Sequence, residues 1–308
     1  MALRLAVRGA FGSHNLDELC GMLDPVLALD GPADVLVDLS GLDQASPAAL
    51  ALLVAYLRDA QRDPGCDPTW HYVPPRSPVL SRTMTPARFR HLVLTRARDA
   101  EDGPSDPVLS CEPFSTRETI DRVTAHFEAF LAERSGAGRD DFGAVTWMLG
   151  DVADNVLQHA GTHSGVAAAR IYPRTHEIEL AVADRGIGIR ASLTKNPDYL
   201  DVTDDRSALM RAVEPATTSE PGVGGGNGLF VVSLVVKENG GALTIRSGRA
   251  ALNRHGADIE TTGGLPALQG TVVAIRVSTR KPLDFERVDG LLQRPAGVTA
   301  ASSGLRLA

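Results

Sequence analysis

Apolar and polar residues alternate from Leu3 to Val7, the period of a half-buried strand, and Gly9 to Gly12 then predict a turn. Asn15 stands where an N-cap belongs, ahead of a helical run from Leu16 to Leu29 that Pro25 can kink. Asp34-Val-Leu-Val-Asp-Leu39 is a short β-branched apolar run, the pattern of a buried strand. Ser46-Pro47 supplies a cap and a first-turn proline, opening an amphipathic helix from Ala48 to Arg62. Asp63 to Pro68 ends it, Thr69 to Val73 reads as a strand, and Pro78 to Leu94 reads as helix interrupted by Pro86. Strands and helices in alternation predict a mixed sheet with helices packed on it.

Arg98 to Pro107 is polar and rich in turn formers, and with the residues up to Pro113 it marks a linker. The expected organisation is therefore a first domain over 1–108, a second over 113–280 and a tail over 281–308, all of α/β (α+β) class. In the second domain, helices are predicted over Thr116 to Glu133 and Phe142 to His159, with a strand ending at Asp184. A helix over Leu229 to Glu238 and a strand over Gly270 to Val277 follow.

Bulk composition narrows the function classes. Acidic residues outnumber basic ones, 38 to 31, for a net charge of −7, which argues against a nucleic-acid binder. No stretch approaches the ~20 apolar residues that a membrane span needs. The amino terminus lacks a small-residue cleavage site and reads as a strand, not a signal peptide. Cys20, Cys66 and Cys111 are far apart and fit a reducing, cytoplasmic setting without disulfides or a metal cluster. His14, His71, His91, His126, His163, His176 and His255 show no metal-ligand spacing.

Three motifs carry chemistry. Asp151, Asn155 and His159 are four apart on one helix and share a stripe. A carboxylate and an amide one turn apart can hold a hydrated magnesium ion or a water, although a stripe of this kind is more commonly a solvated face. Next, Glu177 to Ile189 is a strand ending in Asp184-Arg-Gly186-Ile-Gly188, which sets a carboxylate at the strand exit beside glycines that admit a flat ligand. Such a carboxylate can accept from an adenine amine; an ordinary two-glycine turn is the competing reading. Finally, Gly222-Val-Gly224-Gly-Gly226-Asn-Gly228-Leu229 opens a helix, and free N–H groups at a helix start form a phosphate site. A Rossmann turn would need a strand directly upstream, where Glu214 to Pro221 reads as polar loop.

In this order the motifs resemble the N, DxGxG and GxGxGL boxes of the GHKL superfamily, the ATP-binding fold of histidine kinases, anti-sigma-factor kinases, gyrase and MutL. Gly270-Thr271 resembles the family's closing Gly-Thr strand. The resemblance implies an α/β sandwich of the Bergerat type over the second domain, binding ATP and Mg2+. It implies that Asn155 coordinates magnesium, that Asp184 binds adenine with support from Thr271, and that Gly186 and Gly188 shape the base pocket. Gly224, Gly226, Gly228 and Leu229 hold phosphates, and Arg190 to Val223 forms a lid carrying Thr217 and Thr218. Hydrolytic members carry glutamate where this chain has Asp151, the catalytic candidate; the shorter side chain implies slow hydrolysis.

Residues 3 to 95 resemble a STAS domain, through Val35-Leu-Val-Asp38-Leu-Ser40-Gly41-Leu42 and the helix that follows. Where that family's strand leads to an Asp-Ser-Ser-Gly helix start that carries the phosphorylated serine, this chain has Ser46-Pro47-Ala48-Ala49, so alanine or proline holds the acceptor position and Ser46 reads as a helix cap. The resemblance implies a regulatory or docking domain that does not itself switch by phosphorylation. The expected protein is a regulator that phosphorylates a protein partner from ATP. The alternatives are a nucleotide-gated interaction switch with little catalysis, and a slow ATPase coupled to homodimer formation. This reading implies kinase-like signal transduction, a protein partner and no membrane.

Overall fold

The computed structural model describes residues 2–29, 31–63, 66–94, 109–135, 143–162, 164–219 and 226–281. The expected linker as far as residue 108, the glycines Gly222 and Gly224, and the tail beyond residue 281 lie outside the described residues. The chain is a mixed α and β protein built on two sheets. The first holds β1 (Ala2–Phe11), β2 (Gly31–Ala45) and β3 (Cys66–Val73) in that order. Both pairings are parallel, where a mixed sheet was expected. Parallel neighbours need crossovers, which α1 (Leu16–Leu27) and α2 (Pro47–Arg62) supply. The turn expected at Gly9 is instead an irregularity inside β1, which pairs on to Phe11 with two register shifts.

The second sheet is antiparallel, in the order β4-β5-β6-β8-β7. Its strands are β4 (Leu109–Phe114), β5 (Gly165–Tyr172), β6 (Glu177–Asp184), β7 (Ala242–His255) and β8 (Asp258–Ser278). Residues 109–113, expected in the linker, form an edge strand here. Leu109 to Glu112 alternate, but the run is short and Pro113 interrupts it, which hides the strand in the sequence; an edge is where a strand tolerates proline. The helices between are α3 (Pro78–Thr83) and α4 (Pro86–Leu94), divided by Pro86 as expected, then α5 (Arg117–Ser135) and α6 (Gly143–His159). After β6 come α7 (Gly188–Leu193), a short 3-10 turn, α8 (Asp205–Ala212) and α9 (Gly228–Asn239). Among the described residues no helix is long and apolar enough to cross a membrane.

Strand period 2 divides the second sheet into two faces. Ile178, Leu180, Val182, Val273, Ile275 and Val277 share a core with α5, α6 and α9. Val166, Ala168, Ala181, Ala183, Val272 and Ala274 belong to the core that contains β1, β2 and α2. Helix α2 is therefore not amphipathic in its surroundings: every residue from Pro47 to Arg58 is buried. Alanines on both partners let the helix axis approach the sheet closely. Ser46 caps α2 as expected, its Oγ accepting from Ala49 N at 3.3 Å. Asn15 precedes α1, but its side chain turns back to accept from Gly12 N (2.8 Å) and to donate to Ala10 O (3.0 Å).

Candidate functional site

On the α6 and α9 side of the second sheet lies a pocket of about 390 Å³. Asp151, Asn155, Asp184, Gly188, Thr218, Gly226, Gly228, Leu229 and Thr271 all line it, as do Thr217 and His159. The volume suits a small-molecule ligand, for which ~300–1,000 Å³ is usual. Apart from Gly186, the described part of the motif set thus converges from α6, β6, β8, the segment before α9 and α9 itself, although these elements are far apart in sequence.

The floor is a row across the sheet. Asp184 pairs with Thr271, and Thr271 pairs with Ser247 on β7, so the three side chains point to the same face. Asp184 is 4% exposed, and burial pushes its carboxyl up to about 7 against the lowering effect of N–H donors from Gly186 and Thr271. The Gly186 bond is 2.7 Å. Gly186 does not itself line the pocket. It lies against the end of α6, where a Cβ would collide with the carbonyl of Ala160, and Ile187 N donates to that carbonyl at 2.8 Å. Gly188 has φ +79, which opens the turn into α7 in a way side chains resist. Ser247 holds this turn: its Oγ accepts from Ile189 N (3.0 Å) and donates to Gly270 O (2.9 Å). Sequence reading did not single out Ser247, because no motif surrounds it and β7 was not foreseen.

At the other end, α6 presents Asp151 and Asn155. Among the described residues, Asp151 Oδ2 and Asn155 Nδ2 are buried without a hydrogen-bond partner; the other such atoms found there, on Arg88, His91 and Arg170, lie outside the pocket. Burial raises the Asp151 carboxyl above the usual range, partly opposed by Arg117. A solvated helix face would show neither feature. The Asp151 carboxylate lies against the first residue of α9, so that a Cβ at Gly228 would collide with it. The aspartate therefore reaches the start of α9 despite its short side chain. Four residues before Asn155, it stands beside a helix start, whose partial positive charge favours anions.

The lid is tied down by side chains. Asn227 Oδ1 accepts from Ala216 N (2.9 Å), Asn196 donates to Thr218 O (2.9 Å), and Ser219 Oγ meets His159 Nδ1 at 2.9 Å. Gly226 (φ +63) crosses so close to Thr217 that a Cβ would lie 2.8 Å from its carbonyl. Asn196, Ser219 and Asn227 were not singled out from sequence, although Asn227 sits inside the glycine motif. Gly224 lies outside the described residues.

Among the described residues no three or more His, Cys, Asp or Glu side chains gather to hold a metal ion. A cation in this pocket would draw on Asn155 and on ligand oxygens, a donor set that suits magnesium, which commonly takes part of its shell from phosphates. No protein-family model matches the chain, and no curated protein matches it.

Proposed function

We propose that this pocket binds ATP with magnesium, and that the chain is a cytoplasmic GHKL-type regulator, with a degenerate STAS-like first half, that phosphorylates a protein partner. One observation carries the reading. A buried carboxylate at one end of a single pocket faces two unpartnered polar atoms and a helix start at the other. In its ionised form Asp184 accepts from an exocyclic amine, which selects adenine, with Thr271 and Gly188 beside it. The N–H groups of Gly228 and Leu229 bind phosphate oxygens. Asn155, by turning its amide, offers an oxygen to magnesium. Bound magnesium would supply charge neutralisation at the phosphates. Asp151, with its raised carboxyl next to the α9 start, accepts the proton of an incoming hydroxyl. The switch reading is favoured by the lid, since ligand-dependent loss of the Asn196, Asn227 and His159 ties would change the outer surface.

Titration with a fluorescent ATP analogue, with and without magnesium, tests the assignment. The wild type is expected to bind saturably and with magnesium dependence. Asp184→Ala and Asn155→Ala are each expected to lose at least about tenfold in affinity, the scale of a buried charged or polar contact. Equal affinities in all three proteins would remove the assignment.

A further inference from the structure

Arg185 stands between Asp184 and Gly186 in the pocket turn, and strand alternation sends its side chain to the opposite face of the sheet. The side chain is buried there, with the guanidinium 3.9 Å from the centre of the Tyr56 ring on α2. Its Nε lies 3.4 Å from Asp59 Oδ2, also on α2. Two further donations go to Gln269, to its carbonyl and to its side chain, both at 3.3 Å, and Gln269 Nε2 returns a bond to Arg185 O at 3.2 Å. Tyr56 is 1% exposed, and its hydroxyl is 3.4 Å from Asp24 on α1. The ring itself is buried in the core of the first half of the chain, whose packing holds it in place.

The turn is thus held from both sides. On the pocket side, Ala160 O holds Ile187 and Ser247 Oγ holds Ile189. On the far side, Arg185 rests on Tyr56. A guanidinium buried at this depth cannot leave the ring without giving up its contacts, so a shift of α2 must move the backbone that carries Asp184. We infer that Tyr56 is a positioning residue of the pocket, acting on Asp184 through Arg185, and that the first half of the chain is thereby coupled to ligand binding in the second. Coupling is reciprocal: a ligand that fixes Asp184 steadies α2 by the same factor with which α2 favours the ligand.

The inference rests on the nucleotide reading of the pocket, so its test has one arm that needs no nucleotide. In the free full-length protein, hydrogen exchange is followed at the amides of Gly186, Ile187 and Ile189; in parallel, affinity for the fluorescent ATP analogue is measured. Tyr56→Leu and Arg185→Met are each expected to speed exchange at these amides and to weaken affinity by about tenfold, the scale of a desolvated cation–π contact. Tyr56→Phe keeps the ring face and is expected to match wild type in both arms. The double variant Tyr56→Leu/Arg185→Met is expected to be no worse than either single one. Should Tyr56→Leu fail to fold, Arg185→Met leaves α2 itself untouched and carries the test. Unchanged exchange in the folded variants overturns the proposal, as does faster exchange with unchanged affinity, or a phenylalanine variant that behaves like the leucine one. A wild type that binds no nucleotide while Tyr56→Leu still loosens the turn sinks the ATP reading and leaves the brace standing.

Discussion

The two faces of the five-stranded sheet are made by alternate residues of the same strands, yet they are finished differently. On the α2 face, Ala168, Ala181, Ala183 and Ala274 pack into a shared core. Two of the arginines that emerge there end on fixed partners, Arg185 on Tyr56 and Gln269, and Arg246 on Asp17 (2.6 and 3.0 Å) and on carbonyls of β7, while Arg170 on the same face keeps a buried Nε without a partner. On the other face, Asp184 and Thr271 line a cavity with Ser247 beside them, and Asp151 and Asn155, which line the same cavity, leave buried polar atoms without partners. A fold seldom leaves such atoms unmatched, because each costs about 1–3 kcal/mol. The contrast separates what the sheet needs for packing from what it holds ready for a ligand. It also explains why neighbours such as Asp184 and Arg185 belong to different subsystems.

That contrast predicts its largest effect in the pH dependence of the ligand-free protein. The Asp184 carboxyl is raised to about 7, well above an exposed aspartate. Over the window between the two values, the folded chain holds a proton that the unfolded chain has released, so stability falls as pH rises from about 4 to about 7. The full loss is on the order of 4 kcal/mol, and more than half of it falls between about pH 5 and about pH 8. Asp184→Asn removes the titration and is expected to flatten that part of the curve. Urea midpoints of both proteins at the two pH values measure the difference, which isolates Asp184 from every other group. Parallel curves would mean that the floor of the pocket is not the unmatched face described here.

Asp151 sharpens the comparison at the other end of the pocket. Its carboxylate stands at the start of α9, where phosphate oxygens are proposed to bind, and so repels the ligand it is proposed to serve. Asp151→Asn is therefore expected to tighten binding of the ATP analogue a few-fold. The same change is expected to lower phosphate transfer or release on the order of a hundredfold, the lower range for a lost general base. Opposite signs in binding and turnover distinguish proton transfer from a purely structural carboxylate. If turnover is unchanged while binding tightens, the switch reading takes the lead.

Much of the pocket was legible because its residues sit in short motifs with fixed spacing. Asp151 and Asn155 share a helix stripe, Asp184 ends an apolar run, and Gly226 and Gly228 open a helix, so local periodicity alone put each side chain on the proper side of its element. Ser247 and Ser219 were not legible, since their roles come from strand register and lid closure, both set by distant segments. Helix α2 shows the same limit. Its sequence is apolar nearly all round, yet the reading allowed it a solvent face, because the covering sheet lies more than a hundred residues further along the chain. Leu109 to Phe114 failed for another reason: four alternating residues cut short by a proline are compatible with linker or edge strand, and only the partner β5 decides between them.

The smallest effect concerns the closed face, and it can break the comparison outright. Ser46 stands next to the position that the proposed STAS likeness would align with a phosphorylated serine, at the start of a helix whose next twelve residues are all buried. Its hydroxyl oxygen accepts from Ala49 N at 3.3 Å, which satisfies one of the free donors of the first turn. Arg170 on β5 donates to the neighbouring Ala45 O at 3.4 Å, joining this helix start to the second sheet. A phosphate on Ser46 would have to displace that packing, and Pro47 to Ala49 offer no arginine or lysine to receive it. Ser46→Ala should then act as the loss of a helix cap and nothing more. Stability falls by about 1 kcal/mol, affinity for the ATP analogue stays within twofold of wild type, and the intact mass of the wild type does not change on incubation with ATP and magnesium. Thermal melts, titration and mass spectrometry of the two proteins decide it. A gain of one phosphate that Ser46→Ala abolishes would show that the α2 face opens in solution, and that the two faces of the sheet are not divided between packing and chemistry in the way argued here.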